Sequence, residues 1–179
     1  DGSISKTRAP FGANIYSIYQ DSRGFIWMGA KSDGLFRLEK SKNGGFIVNT
    51  YIENRCSYSL NSNNIYDIKE DRFGRILVGT YGGGLNIIEN PWSDSPRFVN
   101  CNNALSRYPD GAKSIYDMLL ASDGTLLIAT NSGLLASAMT LSPQEMRFHQ
   151  YKRIPSASES ISSNQVMALL QAKDRTVYV

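Results

Sequence analysis

The sequence repeats itself about every 50 residues, and this constrains the fold more than any other feature. Asn14-Ile15-Tyr16-Ser17-Ile18-Tyr19-Gln20-Asp21 returns as Asn64-Ile65-Tyr66-Asp67-Ile68-Lys69-Glu70-Asp71, 50 residues on. Ile115-Tyr116-Asp117-Met118 is a third copy and Val166-Met167-Ala168-Leu169 a fourth, inside which the chain stops. The match continues through Phe25-Ile26-Trp27-Met28-Gly29, Arg75-Ile76-Leu77-Val78-Gly79, Thr125-Leu126-Leu127-Ile128-Ala129 and Thr176-Val177-Tyr178-Val179. Asp33-Gly34-Leu35, Gly83-Gly84-Leu85 and Ser132-Gly133-Leu134 follow in register, the third copy being one residue shorter. A fixed period of this length means that each unit is one supersecondary element burying its faces against its neighbours.

Each unit reads as four short strands. Ile15 to Gln20 is β-branched and aromatic, and Asp21-Ser22-Arg23-Gly24 is a tight turn. Phe25 to Gly29 is a nearly continuous apolar run, as expected of a strand covered on both faces. Asp33-Gly34 turns the chain into Leu35 to Glu39, and a more variable fourth strand is predicted at Phe46 to Tyr51, around Phe98 and at Met146 to Tyr151. No stretch has the caps and the 3.6-residue periodicity of a helix. Four antiparallel strands per unit predict an all-β fold: a partial β-propeller of about three and a half blades. The blades are expected over about 14–51, 64–100 and 114–151, with a truncated one over 164–179, all within one domain spanning 1–179. A β-sandwich and an open β-solenoid are the alternatives. The small residues Gly29, Gly79 and Ala129 fit a close approach of neighbouring blades near the hub. Starting and stopping inside the repeat, the chain is expected to be part of a larger ring, with the remaining blades as partners and self-association through bare sheet faces.

Composition narrows the function classes. A net charge of +3 with no Lys/Arg block excludes a nucleic-acid stripe, and no apolar run is long enough to span a bilayer, so this segment is expected to touch neither nucleic acid nor membrane. Cys56, Cys101 and the single His149 fit no metal-ligand spacing, and no cofactor is expected. Asp21, Asp71 and Asp123 read as turn residues, because no unit carries the dense oxygen-ligand series of a calcium loop. His149 is expected to be exposed on an outer strand. Ser3 and Lys6 have the spacing of an S-x-x-K pair but sit in a serine-rich end segment, and Tyr81-Gly82-Gly83-Gly84 leads into a strand, unlike a phosphate loop.

The string carried by Asn14 to Leu35, Asn64 to Leu85, Ile115 to Leu134 and Asn164 to Val179 resembles the two-component regulator propeller repeat, and Ser59-Leu60-Asn61-Ser62-Asn63 resembles its run-in. Of the family's Trp only Trp27 is kept, with Leu77, Leu127 and Tyr178 at the equivalent positions. The turn Asp is Ala121 in the third copy, and the turn Gly is Arg175 in the fourth. The resemblance implies a periplasmic ligand-sensing domain of a membrane-anchored hybrid two-component system of Bacteroidetes. Its ligand would be an oligosaccharide or similar small polar molecule, and its kinase parts would lie elsewhere.

Ligands of propellers are expected at loops around one mouth of the central channel. The loops after the second strands nominate Lys31, Ser32 and Asp33, then Tyr81, Gly82 and Gly83, then Asn131 and Ser132. The blade-joining loops on the same face add Arg55, Tyr58, Asn61, Asn63, Arg107 and Tyr108. A tyrosine such as Tyr81 can stack on a sugar ring, and Arg or Asn suits hydroxyls and carboxylates. Asp67 and Asp117, at equivalent positions of adjacent innermost strands, are expected to line the channel. They are also the only pair that could serve an inverting glycosidase, although backbone donors, waters or a cation are the simpler partners. Trp92, in a Pro-bracketed loop on the opposite face, is expected to anchor packing or a subunit contact. The leading alternatives to a sensor are a carbohydrate-active enzyme and a protein-binding scaffold.

Overall fold

The computed structural model describes residues 14–54 and 56–179. Three four-stranded antiparallel meanders follow one another as blades of a propeller. The first holds β1 (Ile15–Gln20), β2 (Ile26–Ala30), β3 (Leu35–Lys40) and β4 (Phe46–Tyr51). The second holds β5 (Ile65–Glu70), β6 (Ile76–Thr80), β7 (Gly84–Glu89) and β8 (Arg97–Val99), and the third β9 (Ile115–Leu120), β10 (Thr125–Thr130), β11 (Gly133–Ala138) and β12 (His149–Tyr151). A two-stranded ladder of β13 (Leu170–Gln171) and β14 (Val177–Tyr178) begins the fourth. Among the described residues the only helical turn is a 3₁₀ turn at Pro143–Glu145.

That turn corrects one strand boundary. The fourth strand of the third blade begins at His149 rather than Met146, because Pro143 opens the 3₁₀ turn and Met146 caps it and packs in the core. His149 stands exposed on this outer strand, as expected, with its ring against Tyr151.

The core is layered between blades. Trp27 and Leu35 of the first blade meet Ile65, Ile68, Ile76 and Val78 of the second, whereas Leu77, Leu85 and Ile87 face Ile115, Met118 and Ile128 of the third. Alternate residues of β6 therefore enter different layers, which is why this strand is apolar throughout and fully buried. At the inner ends the blades approach so closely that one needs a residue without a side chain. A Cβ on Gly79 would lie 2.7 Å from Ile115 Cγ2, and one on Gly29 would collide with Ile65. In the third copy Ala129 packs with Val166, a smaller partner that leaves room for the methyl.

The face away from the blade-joining loops is tied by arginines. Arg37, only 3% exposed, donates to the carbonyl of Pro91 in the next blade. Arg75 donates to the carbonyls of Leu141 and Thr140 at 3.0 and 2.9 Å, and its guanidinium pairs with the buried Asp71 at 2.7 Å. The guanidinium of Arg23 lies 3.9 Å over the ring of Trp92, so the expected packing anchor is engaged by a neighbouring blade.

The close approach sets a quantitative expectation. Gly79→Ala forces an overpacked contact at Ile115 and is expected to cost about 1–3 kcal/mol in denaturant unfolding. Combined with Ile115→Ala, which removes the opposing methyl, the two losses are expected to be less than additive.

Candidate functional site

The innermost strands each carry an irregularity at the same repeat position. Ile15 pairs with Ala30 and Ser17 with Gly29, so Tyr16 is an extra residue with no partner on β2. Tyr66 is the extra residue between Ile65 and Asp67, and Tyr116 between Ile115 and Asp117. A bulge re-aims a side chain out of the alternation of its strand. Here three bulges bring three tyrosines from three blades together at one end of the central channel. Tyr16 meets Tyr66 edge-on at 5.3 Å between ring centroids, and Tyr66 meets Tyr116 edge-on at 6.3 Å.

A second row lies over the first. Lys31, Tyr81 and Asn131 occupy one repeat position, each with its backbone N–H bonded to the carbonyl of the residue before its own blade's inner strand: Asn14, Asn64 and Ser114. All three side chains are exposed. Lys31 Nζ stands 5.9 Å over the Tyr16 ring, and Tyr81 stacks on Tyr66 at 5.7 Å while meeting Tyr116 edge-on at 6.4 Å. Asn131 Oδ1 accepts from the Ser114 N–H at 3.0 Å, which leaves its amide hydrogens to donate outward. The hydroxyls of Tyr16, Tyr66, Tyr81 and Tyr116 have no hydrogen-bond partner among the described residues.

The predicted loop residues separate into three groups. Lys31 and Tyr81 reach the tyrosines, and Asn131 is exposed at the equivalent position and bonded to Ser114; Ser32 contacts Asn64 at 3.4 Å, and Asp33 in the same loop is exposed. Asn61, Asn63 and Tyr108 are structural. Asn61 donates to the Gly83 carbonyl and accepts from Asn86, and Asn63 Oδ1 accepts from the Glu53 N–H at 2.6 Å. Tyr108 is 4% exposed, donates to the Ala112 carbonyl, and burial pushes its hydroxyl pKa far upward. Tyr58 lies on the outer edge under Arg97, whose guanidinium is 3.7 Å from its ring, and Arg107 is exposed without a partner among the described residues. Arg55, Ser3 and Lys6 lie outside the described residues. The sequence reading missed Tyr16, Tyr66 and Tyr116 as site residues. Their signal was available: the same exposed-capable residue in three copies, at the first turn of each innermost strand.

Asp67 and Asp117 act between blades. Asp67 Oδ2 accepts from the Met118 N–H of the next blade at 2.8 Å, and its Oδ1 meets its own Ile68 N–H and Lys69 Nζ. Asp117 repeats this, accepting from Met118 and, across to the fourth unit, from Leu169 at 2.7 Å. The two carboxylates thus converge on one amide, and both are engaged by backbone donors. In the first blade the equivalent Ser17 is too short for the same bond, and its buried hydroxyl has no hydrogen-bond partner among the described residues. The turn aspartates are similarly occupied. Asp21 accepts from the N–H groups of Arg23 and Phe25 and from Trp27 Nε1 at 2.8 Å; Asp71 accepts from Phe73, from the Arg75 N–H and from the Arg75 guanidinium. Asp123 accepts from the Thr125 N–H, which holds its carboxyl below the usual range. Among the described residues no three His, Cys, Asp or Glu side chains gather as metal ligands. Cys56 and Cys101 are both free thiols.

A polar cleft of about 260 Å³ opens between Asn54, Ser57, Asn100 and Asn103, farther from the channel. Its asparagines are scaffolding: Asn100 Nδ2 bonds Ser59 and Asn86, and Asn103 Nδ2 bonds Ser57 and Phe98.

The comparisons agree with the geometry on the class of fold, a β-propeller. The family model described as two component regulator propeller matches the chain at residues 10–32 and 59–82. The extracellular domain assigned to the hybrid two component system BT3049 of B. thetaiotaomicron superposes with a TM-score of 0.68 at 21% identity, over 92% of this chain and 20% of that one. The corresponding domain of BT4673 from the same organism gives 0.68 at 20% identity, over 97% and 21%. Virginiamycin B lyase from Staphylococcus aureus gives 0.59 at 16% identity, over 94% and 50%. The chain therefore spans about a fifth of the length of the first two structures. No curated protein matches the sequence.

Burial raises the Asp67 carboxyl pKa above its ordinary 3.8, with Lys69 and the Met118 amide opposing. A carboxyl raised on folding holds its proton more tightly in the native state. Its contribution is therefore greatest below pH 3.8 and declines as pH rises through the folded value. Relative to Asp67→Asn, the wild-type chain is expected to lose stability across that window, measured as urea midpoints at successive pH values.

Proposed function

We propose that this chain is part of the periplasmic, ligand-sensing propeller of a membrane-anchored two-component system, and that it binds an oligosaccharide or similar polar molecule at the tyrosine-lined channel mouth. The observation that carries this reading is the convergence from three blades of Tyr16, Tyr66, Tyr116 and Tyr81, of which Tyr16 and Tyr81 are exposed and Tyr66 and Tyr116 half-buried, and whose hydroxyls have no hydrogen-bond partner among the described residues. Aromatic faces bind the apolar faces of sugar rings, and free hydroxyls satisfy the sugar's own. The kinship to regulator propeller repeats and the extracellular origin of the B. thetaiotaomicron neighbours support the sensor class and its compartment. No helix among the described residues is long and apolar enough to cross a membrane.

A carbohydrate-active enzyme is the weaker reading. Its best carboxylates, Asp67 and Asp117, hold neighbouring blades together, and His149 is on an outer strand away from the mouth. The apolar side chains exposed on the first and last units, such as Ile18 and Leu170, suit further blades of the same ring or a second copy as partners.

The test is a glycan screen followed by calorimetry. Tyr81→Ala and Tyr66→Ala, checked by circular dichroism for an unchanged fold, are each expected to weaken the captured oligosaccharide about threefold to tenfold. Asp67→Asn is the arm that separates the classes. Loss of turnover on a still-bound glycan would establish the enzyme, and absence of any turnover in the wild type supports the sensor.

A further inference from the structure

The upper row at the channel mouth is chemically graded although its backbone is repeated. Lys31, Tyr81 and Asn131 stand at one repeat position with the same backbone anchor, yet present a cation, an aromatic phenol and an amide donor in blade order. Among the described residues the ion pairs are Lys69–Asp67, Arg75–Asp71 and Arg97–Glu89, and Lys31 joins none of them. Asp67, on the inner strand of the next blade, is paired with Lys69 at 2.8 Å and accepts from backbone amides. Asp33 shares the Lys31 loop and is exposed, and it forms no ion pair with Lys31. The tyrosine face beneath Lys31 Nζ keeps the ammonium over the mouth without neutralising it.

We propose that the mouth selects an acidic oligosaccharide bound in one direction: a carboxylate or sulfate group at Lys31, a sugar ring stacked on the open face of Tyr81, and a hydroxyl or carbonyl oxygen receiving the Asn131 amide. This rests on the reading that the mouth binds a saccharide, and it adds charge and polarity to that reading. Each position in the row belongs to a different blade, so a bound chain runs across three blades. A single sugar reaches one position of the three and loses the combined affinity. The contribution of Lys31 is that of an exposed charge, modest and sensitive to salt.

The experiment uses two probes, a 1→4-linked trigalacturonate and the trisaccharide obtained by reducing its carboxyl groups, titrated into the chain at low and at high salt. The acid is expected to bind about threefold to tenfold tighter at low salt, with the preference shrinking at high salt. Lys31→Gln is expected to bring the preference close to unity, Asp33→Asn to enlarge it, and Asn131→Ala to weaken both probes. Equal binding of acid and neutral probe, or a preference that survives Lys31→Gln, would overturn the charge assignment while leaving a saccharide site intact. Capture of only neutral glycans in the screen would do the same. Binding of no glycan at all would overturn both readings.

Discussion

Everything in this structure depends on the contact between one blade's inner end and the next. A four-stranded sheet with two apolar faces has no stable existence alone, so each blade is held by the layers on either side of it. At the hub those layers thin until Ile65 meets the bare backbone of Gly29, and Ile115 that of Gly79. The same approach brings the inner strand of one blade within reach of the carboxylate of the previous one. β5 and β9 are edge strands of their sheets. Asp67 and Asp117 accept from Met118 and Leu169 across the gap, so hydrogen-bonding groups at these edges are paired within the ring. A blade with Ser17 at this position lacks the bond, and its junction is held by packing and by Glu70, which accepts from both the N–H and the hydroxyl of Ser22.

The bulge links this architecture to the site. Without the extra residue at Tyr16, Tyr66 and Tyr116, simple alternation would carry these rings into the layers between blades. With it, Ile65 and Ile68 both enter the layer toward the first blade although they are three residues apart, and the extra residue, Tyr66, is released toward the channel mouth. Residues that hold the blades and residues that face the mouth are thus separated by one irregularity, repeated three times. The rigidity of the mouth follows from the same source, because each tyrosine sits on a strand whose next residues are locked against a neighbouring blade.

The repeat made the architecture legible because packing is periodic. The inner three strands of each blade and the small residues at Gly29, Gly79 and Ala129 followed from comparing copies, whereas the start of the variable fourth strand in the third blade did not. Individual side-chain tasks were harder to read, because a task can move between positions while the layer stays filled. Trp27 Nε1 bonds Asp21 in the first blade; in the second, Leu77 replaces the Trp and the bond to Asp71 is made by Arg75, two residues earlier. In the third and fourth units the aspartate itself moves two places on, to Asp123 and Asp174, where each accepts from the N–H of the following Thr. Arg175 takes the positive-φ conformation that Gly24, Gly74 and Gly124 occupy elsewhere. Loop residues such as Asn61 and Tyr58 looked equivalent to Lys31 in the sequence because polarity in a loop does not reveal whether the side chain faces the channel, the next turn or the outer edge.

The inner carboxylates show why residue type alone misleads at a hub. Two aspartates on adjacent strands of a polar channel have the chemistry of an acid–base pair, and their spacing in the repeat allows it. An acid–base pair needs a proton-accepting oxygen open to substrate and a gap for water between the groups. Here both aspartates turn an oxygen to the single amide of Met118, and their remaining oxygens accept from Ile68, Lys69 and Leu169. The channel mouth above them is different in kind: among the described residues its four tyrosine hydroxyls have no hydrogen-bond partner and the Lys31 ammonium joins no ion pair. While the interior carboxylates are consumed by holding blades together, the side chains at the mouth are those that a bulge or a loop has freed from that work.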